Sequence, residues 1–550
     1  MKEHARRFSP SFQVLLARRG FSDDASIEAF LFSDTSSLHD PFLMKNMREV
    51  KARIEKAVQS REKILIHGDY DVDGITSVAV LARTIEKLGG ECETFLPERE
   101  RDGYGVSEAA IRDAGNRGVH LIVTVDCGIT AKKEIEIARS CGMDVIVIDH
   151  HRLPADGLPD THLILNPLQE DCPYPFKELS AAGLAFKLGE ALIGEAALEH
   201  LDLVALSTIS DMAPLVGENR VLVKEGLQRL SERKNTGIHA LADVSKMKAS
   251  QVNVGHVGFI LGPRLNAAGR MSSADTALRL LMTESPREAE SLSKILDEEN
   301  KARQKMEREV TREAMRKVEQ TVNFNRERVI VVDGQGWHRG VIGIAASRLV
   351  EKFERPAIVI SVEEGVGRGS GRSIKSFHLF NALRSCESVL EEFGGHAQAA
   401  GITVTEMNIP LLREKINAFA FEHLPPEELK RHVSVDMPLK LSDLTSQFLE
   451  ELELLEPHGL GNPRPVFQSN GLQLKTPPKR LYGETYETIV TEGILNYQAH
   501  LNEKQMLLCE TSRPGAQFEA AYSVKTKQWN GMKTLVLSVK ELREKLPASL

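Results

Sequence analysis

Asp149-His150-His151 closes the apolar run Val145-Ile146-Val147-Ile148, so a carboxylate and two imidazoles emerge together where a buried strand would meet solvent. Two other apolar runs end the same way. Ile64-Leu65-Ile66-His67-Gly68 leads into Asp69-Tyr70-Asp71-Val72-Asp73-Gly74, and Leu121-Ile122-Val123-Thr124-Val125 leads into Asp126-Cys127-Gly128. Carboxylate oxygens suit hard divalent cations, and added imidazole moves the preference toward Mn²⁺ without excluding Mg²⁺. The three strand ends therefore predict a site built around a metal pair.

Asp69, Asp71 and Asp73 alternate, so on an extended backbone all three point the same way, and like charges so placed repel unless a cation sits among them. A solvated acidic loop with helix-capping aspartates is the alternative. Asp126 suits a bridging carboxylate or an N-cap. His150 and His151 suit metal ligation and proton transfer near neutral pH. Asp211, in Ser210-Asp211-Met212, is by itself only a polar helix end.

The elements that must carry these residues can be read around them. From about 60 to 210, apolar runs alternate with helical segments over 75 to 88 and 130 to 140. That alternation predicts a parallel sheet covered by helices, with ligands at the carboxyl ends of its strands. Ser285-Pro286-Arg287-Glu288 has the spacing of a capped helix start. The helix that follows runs to about 320, with a stripe of Leu292, Leu296, Ala302, Met306, Val310, Ala314 and Val318, and is expected to bridge two lobes. A second α/β pattern opens at Arg328-Val329-Ile330-Val331-Val332. Its segment Gly367-Arg368-Gly369-Ser370-Gly371-Arg372-Ser373 reads as a Gly-rich turn whose amides approach phosphate, with arginines adding charge. Beyond about 430, short alternating segments predict a β-barrel.

A chain of 550 residues is too long for one core. No apolar run approaches the roughly 20 residues of a membrane span, and the amino terminus lacks the pattern of a secretory signal, so cytoplasmic residence is expected. The six cysteines form no Cys-x-x-Cys pair, which argues against a zinc ribbon and a disulfide framework. A net charge of −8 argues against general coating of nucleic acid, so any such contact must use local basic patches.

The four segments Asp69 to Gly74, Asp126-Cys127-Gly128, Asp149-His150-His151 and Ser210-Asp211-Met212 resemble the signatures of the DHH phosphoesterase superfamily and, within it, of the bacterial single-strand exonucleases, over nearly the full chain. The resemblance implies an α/β parallel-sheet DHH domain (61–284) after an N-terminal helical segment (1–60). A long helix (285–327) would join it to a smaller α/β DHH-associated domain (328–430), followed by an OB-fold-like barrel (431–550). It implies two ions, Mn²⁺ or Mg²⁺. Asp71 and Asp126 would hold one ion and Asp73, Asp126, His150 and Asp211 the other, with Asp69 an additional ligand and His67 left open. Asp126, Asp149 and His151 would be catalytic, His151 contacting the scissile phosphate. Arg99, Tyr104, Arg270, Gln304, His338, Arg339, Ser370, Arg372 and His396 would grip DNA. Phe467, Tyr482, Tyr486 and Trp529 of the barrel are candidates to stack on bases, and Lys475, Lys479 and Arg480 to meet phosphates. The implied activity is 5′→3′ hydrolysis of single-stranded DNA to mononucleotides in repair and recombination, by a monomer working with a single-strand-binding protein and a RecQ-type helicase. Two alternatives stand beside it: a relative acting on short oligonucleotides or cyclic dinucleotides, and a non-catalytic DNA-binding scaffold.

Overall fold

The structure is a computed structural model describing residues 8–98, 101–103, 105–247, 250–430, 432–529 and 532–545, with the side chains of 527–533 outside the description. It divides into two units, one of residues 40–211 and 226–431, the other of 1–39, 212–225 and 432–550.

The first unit begins with a parallel sheet of β1 (Ile64–His67), β2 (Cys92–Phe95), β3 (Leu121–Val125), β4 (Asp144–Ile148) and β5 (Ile164–Leu165), in the order β2-β1-β3-β4-β5. The central strands are near-continuous Ile, Leu and Val because helices cover both faces. Register then decides the chemistry. His67 pairs with Thr124 and Val125 with Ile148, so Asp69, Asp126 and Asp149 leave the sheet at one level.

The helix after the last α/β segment runs from Pro286 to Thr321, with Ser285 accepting from the Glu288 N–H as its cap. At 1.5 Å per residue it spans about 54 Å. Its ends pack as the apolar stripe predicts, through Leu292 and Leu296 at one end and Val310, Ala314 and Val318 at the other. Its middle does not. Ala302 is exposed and Met306 only half-buried, while Asn300 and Arg303 are buried. Between two packing surfaces the buried face turns polar, and Arg303 is satisfied by Asn300 and by Glu307 at 2.9 Å. The second sheet follows, made of β6 (Ile330–Gln335), β7 (Ala357–Glu363), β8 (Val366–Arg372), β9 (Glu392–Gly395) and β10 (Ala399–Thr405) in the order β6-β7-β8-β10-β9. Only β6 and β7 pair in parallel.

The other unit is built on β11 (Met437–Pro438), β12 (Phe467–Leu474), β13 (Lys479–Tyr482), β14 (Thr485–Glu492), β15 (Leu495–Leu501), β16 (Phe518–Trp529) and β17 (Met532–Glu544). Strands β12-β16-β17-β15-β14 close on themselves through a β12–β14 pairing, with β15 and β17 parallel and a helix, Glu503–Thr511, between β15 and β16. This is the five-stranded barrel expected for the C-terminal part. Its core also takes in Phe12, Leu15, Leu16 and Leu31 from the helices Pro10–Arg18 and Asp24–Phe32. The N-terminal helical segment expected over 1–60 is therefore divided: residues to 39 belong here, and the helix Met47–Gln59 belongs to the first unit.

Candidate metal centre and phosphate pocket

The acidic loop after β1 does not stay extended. Asp71 is the N-cap of the helix Val72–Lys87, accepting from the N–H groups of Asp73 (2.9 Å) and Gly74 (3.3 Å), so Asp73 lies on the first helical turn. The expectation that all three aspartates share a direction is corrected by that turn. Asp69 and Asp71 face Asp126, whereas Asp73 swings to a group with His150 and Asp211; in each group one ligand atom per residue lies within 4.8 Å of the others. Gly74 is required for the fold of the loop, since a Cβ there would sit 2.4 Å from the Asp69 carbonyl oxygen. Asp126 has φ +61°, an uncommon conformation for a non-glycine residue and one that concentrates at functional sites.

His150 Nε2 lies 3.3 Å from Asp126, 3.6 Å from Asp73 and 4.0 Å from Asp211, so it stands between the two acidic groups. His151 Nδ1 is 2.7 Å from Asp149, whose other oxygen accepts from the Ile129 N–H. Burial opposes charge on His151, but Asp149 outweighs it and lifts the imidazole to about 9. For His150 burial is likewise outweighed, by Asp73 and Asp211, and its pKa is raised. Asp126 is pushed well above the usual carboxylate range by burial and then by Asp73 and Asp71; Asp71 is raised by burial and Asp73; Asp211 rises to about 7 by burial and Asp73.

Buried carboxylates that raise one another in this way fit a divalent cation, which would neutralise them and use oxygens with imidazole as ligands. The donor set suits Mn²⁺ or Mg²⁺. His67 does not join it. Its Nε2 accepts from the Ser107 N–H at 3.2 Å, its Nδ1 faces Cys127 Sγ at 3.9 Å, and burial holds its pKa down at about 4. A neutral imidazole so engaged carries its proton on Nδ1 and has no lone pair left for a metal.

Arg270 connects this centre to a second feature. The helix Gly262–Met271 touches the metal loop twice, through Asn266 Oδ1, which accepts from the Val72 N–H, and through Gly269, where a Cβ would lie 2.2 Å from the Tyr70 carbonyl oxygen. The next residue, Arg270, lowers the Asp71 pKa from one side and lines a cavity of about 400 Å³ on the other. Arg339, Arg368, Ser370, Arg372 and Gly340 also line that cavity. Gly340 is on the first turn of the helix Arg339–Phe353, whose amino end carries partial positive charge.

The segment Gly367 to Arg372 is not the expected turn. It is strand β8, and its alternation sorts the residues by face. Gly367, Gly369 and Gly371 lie against Val404, Ile402, Ile360 and Leu379, where a Cβ would be crowded, while Arg368, Ser370 and Arg372 line the cavity. The glycines serve packing, and the arginines serve the open face. Gly343 makes room above them, since its Cβ would meet Ser370 Oγ at 2.9 Å and Arg372 Nη2 at 3.0 Å.

His396 follows the β9 turn and has its pKa lowered by burial, then by His151 and Arg152, so it faces the imidazole of the metal centre. His338 is the N-cap of Arg339–Phe353, its Nδ1 accepting from the Gly340 N–H. Gln304 is half-buried on the long helix. Arg99 and Tyr104 lie outside the described residues, as does the Trp529 side chain. In the barrel, Phe467 is core and Tyr486 packs against that core, whereas Tyr482 is 62% exposed, and Lys475, Lys479 and Arg480 are exposed as well. Sequence reading missed Ser207 and the amides of Ala181 and Ala182; no local pattern marks them.

Three family models match the chain: the DHH family, N-terminal domain, over residues 63–208, the DHHA1 domain over 326–422, and the RecJ OB domain over 435–541. The chain is 39% identical to the single-stranded-DNA-specific exonuclease RecJ of Bacillus subtilis, across 97% of this chain and 68% of that one. It is 34% identical to the protein of the same description from Dickeya dadantii, across 96% and 95%. The crystal structure of RecJ in complex with Mn²⁺ from Thermus thermophilus superposes with a TM-score of 0.83 at 31% identity, covering 99% of this chain and 77% of that one. A Mg²⁺ complex from the same organism also matches, with a TM-score of 0.78.

Proposed function

The chain belongs to the RecJ family of single-stranded-DNA-specific exonucleases, and from that membership and the geometry of its site we propose how it works. It is a metal-dependent hydrolase that removes mononucleotides from single-stranded DNA in the 5′→3′ direction. The observation that carries the reading is the Arg270 strut, one helix gripping the metal loop through Asn266 and Gly269 and opening a basic cavity through the very next residue.

In this reading Ser370, Arg372, Arg270 and Arg339 take the terminal 5′ phosphate, and the phosphodiester one nucleotide further on lies at the acidic cluster. Forked guanidinium donors suit that phosphate. Asp149 accepts from His151 Nδ1–H and holds the ring charged, so His151 presents a donor to the scissile phosphate, with His396 approaching from the opposite lobe. Asp69, Asp71 and Asp126 would hold one ion and Asp73, Asp126, His150 and Asp211 the other; when bound, Mn²⁺ or Mg²⁺ supplies the polarisation that makes water a nucleophile at neutral pH and offsets charge on the attacking and leaving oxygens.

We assign residues 61–284 to catalysis, 285–327 to the connecting helix, 328–430 to phosphate recognition and 431–550 to holding the strand. The exposed strand β13, with Lys479, Arg480 and Tyr482, supports the last assignment, since it combines phosphate-binding charge with a stacking ring. The reading extends to a cytoplasmic monomer supplied by a RecQ-type helicase and a single-strand-binding protein, the activities that generate and hold unpaired DNA. No helix among the described residues is long and apolar enough to cross a membrane.

Product analysis on 5′- or 3′-labelled single strands with Mn²⁺ tests the core of the reading. Immediate release of 5′-labelled mononucleotide by the wild type, and none by Asp126→Ala, is the expected result; early release from the 3′ end or internal cleavage would overturn it.

A further inference from the structure

Asp73 is buried, and each of its acceptor positions can be followed. Oδ1 accepts from Ser207 Oγ at 2.6 Å and from the Ala182 N–H at 3.0 Å, while Oδ2 accepts from the Ala181 N–H at 2.9 Å. A carboxylate offers about four such positions. One remains, on Oδ2, the oxygen that lies 3.6 Å from His150 Nε2.

The direction of the Ser207 hydroxyl is set by its neighbours. Thr208 gives its proton to the Val204 carbonyl at 2.7 Å, and Ser180 Oγ already accepts from the Gly183 N–H. Ser207 Oγ has a single proton and two neighbours, Asp73 Oδ1 at 2.6 Å and Ser180 Oγ at 2.7 Å; an ionised carboxylate only accepts, so that proton goes to Asp73. Ser180, Ser207 and Thr208 are all fully buried, so water does not compete for these bonds. Ser207 also lies one helical turn before Asp211, whose N–H donates to the Ser207 carbonyl, so one helix end orients two members of the same candidate ligand group.

We infer that Ser207 is a positioning residue that occupies Oδ1 of Asp73, restricts that carboxylate to one oxygen toward a cation, and so selects Mn²⁺ and Mg²⁺ over Ca²⁺. The physical basis is coordination number. Mg²⁺ demands a near-octahedral shell, whereas Ca²⁺ takes six to eight oxygens and readily uses both oxygens of a carboxylate. A carboxylate whose second oxygen is saturated by a hydroxyl and an amide contributes one ligand atom. The inference rests on the metal-centre reading, and wild-type titration tests that reading separately.

The experiment is calorimetric titration of the full chain, stripped of metal, with Mn²⁺ and with Ca²⁺, for the wild type, Ser207→Ala and Ser207→Cys. Cysteine keeps the volume of the site and replaces the hydroxyl by a weak donor, so it stands in if alanine impairs folding. Two Mn²⁺ per wild-type chain are expected; a wild type that binds none would overturn the metal-centre reading itself. Both variants are expected to lose Mn²⁺ affinity by about 10-fold, the usual scale for groups that orient a ligand, while Ca²⁺ affinity holds or rises and the Mn²⁺/Ca²⁺ ratio narrows. Wild-type affinities in a folded variant, or equal losses for both ions with the ratio intact, would overturn the inference.

Discussion

At the scale of single residues, the site is a set of buried acids that the fold crowds together, and titration should reveal the crowding. His151 is raised to about 9, above its unfolded value of about 6.5. Its contribution to stability is therefore present below pH 6.5 and lost as pH rises through about 9. Metal-free protein should melt at progressively lower temperature between those limits, and His151→Gln should flatten the decline; a flat wild-type profile would contradict the Asp149–His151 pairing. Because Asp126, Asp71 and His150 are also raised, Mn²⁺ must displace protons on binding. Calorimetry in buffers of different ionisation enthalpy should register net proton release near pH 7. His67 lies beside these residues yet has its nitrogens engaged elsewhere, so His67→Gln should leave the stoichiometry at two Mn²⁺ per chain.

At the scale of elements, the helix Gly262–Met271 and strand β8 do the positioning. Gly269→Ala would set a methyl 2.2 Å from the Tyr70 carbonyl, a backbone atom that cannot yield without moving the metal loop. A destabilisation of about 1–3 kcal/mol, together with weaker Mn²⁺ binding, is expected in denaturant melts and titration. Gly343→Ala meets only side-chain ends, Ser370 Oγ and Arg372 Nη2. It should raise KM for 5′-phosphorylated strands severalfold and leave kcat near the wild-type value, since the pocket is crowded and the acids are untouched. Steady-state kinetics separates the two. A fall in kcat alone would place Arg372 in the chemistry rather than in binding.

At the scale of the whole molecule, chain order is not domain order. The N-terminal helices complete the barrel core through Phe12, Leu15, Leu16 and Leu31. A chain cut after residue 430 uncovers those side chains, at about 1.5–3 kcal/mol each. It is expected to aggregate in size-exclusion chromatography, and a soluble, monodisperse 1–430 fragment would show that the shared core matters little.

The sequence alone was sufficient for features that depend on neighbours in the chain. An apolar run followed by acids or imidazoles states that a strand ends in a ligand; Ser285 with Pro286 states where the long helix starts; alternation near the carboxyl end states a barrel. These are local because period and capping act over a few residues. Tertiary structure decided the rest. The divided aspartates are one case, since Asp73 parts from Asp69 and Asp71 only because a helix begins between them and the amides of Ala181 and Ala182 receive it. The glycines of β8 are another: a Gly-rich string reads as a turn until the residues packed beneath it, Ile402 and Leu379 among them, are known. Ser207 carries no pattern at all, because it acts on a residue more than 100 positions away and a hydrogen bond depends on distance in space, which spacing along the chain does not encode.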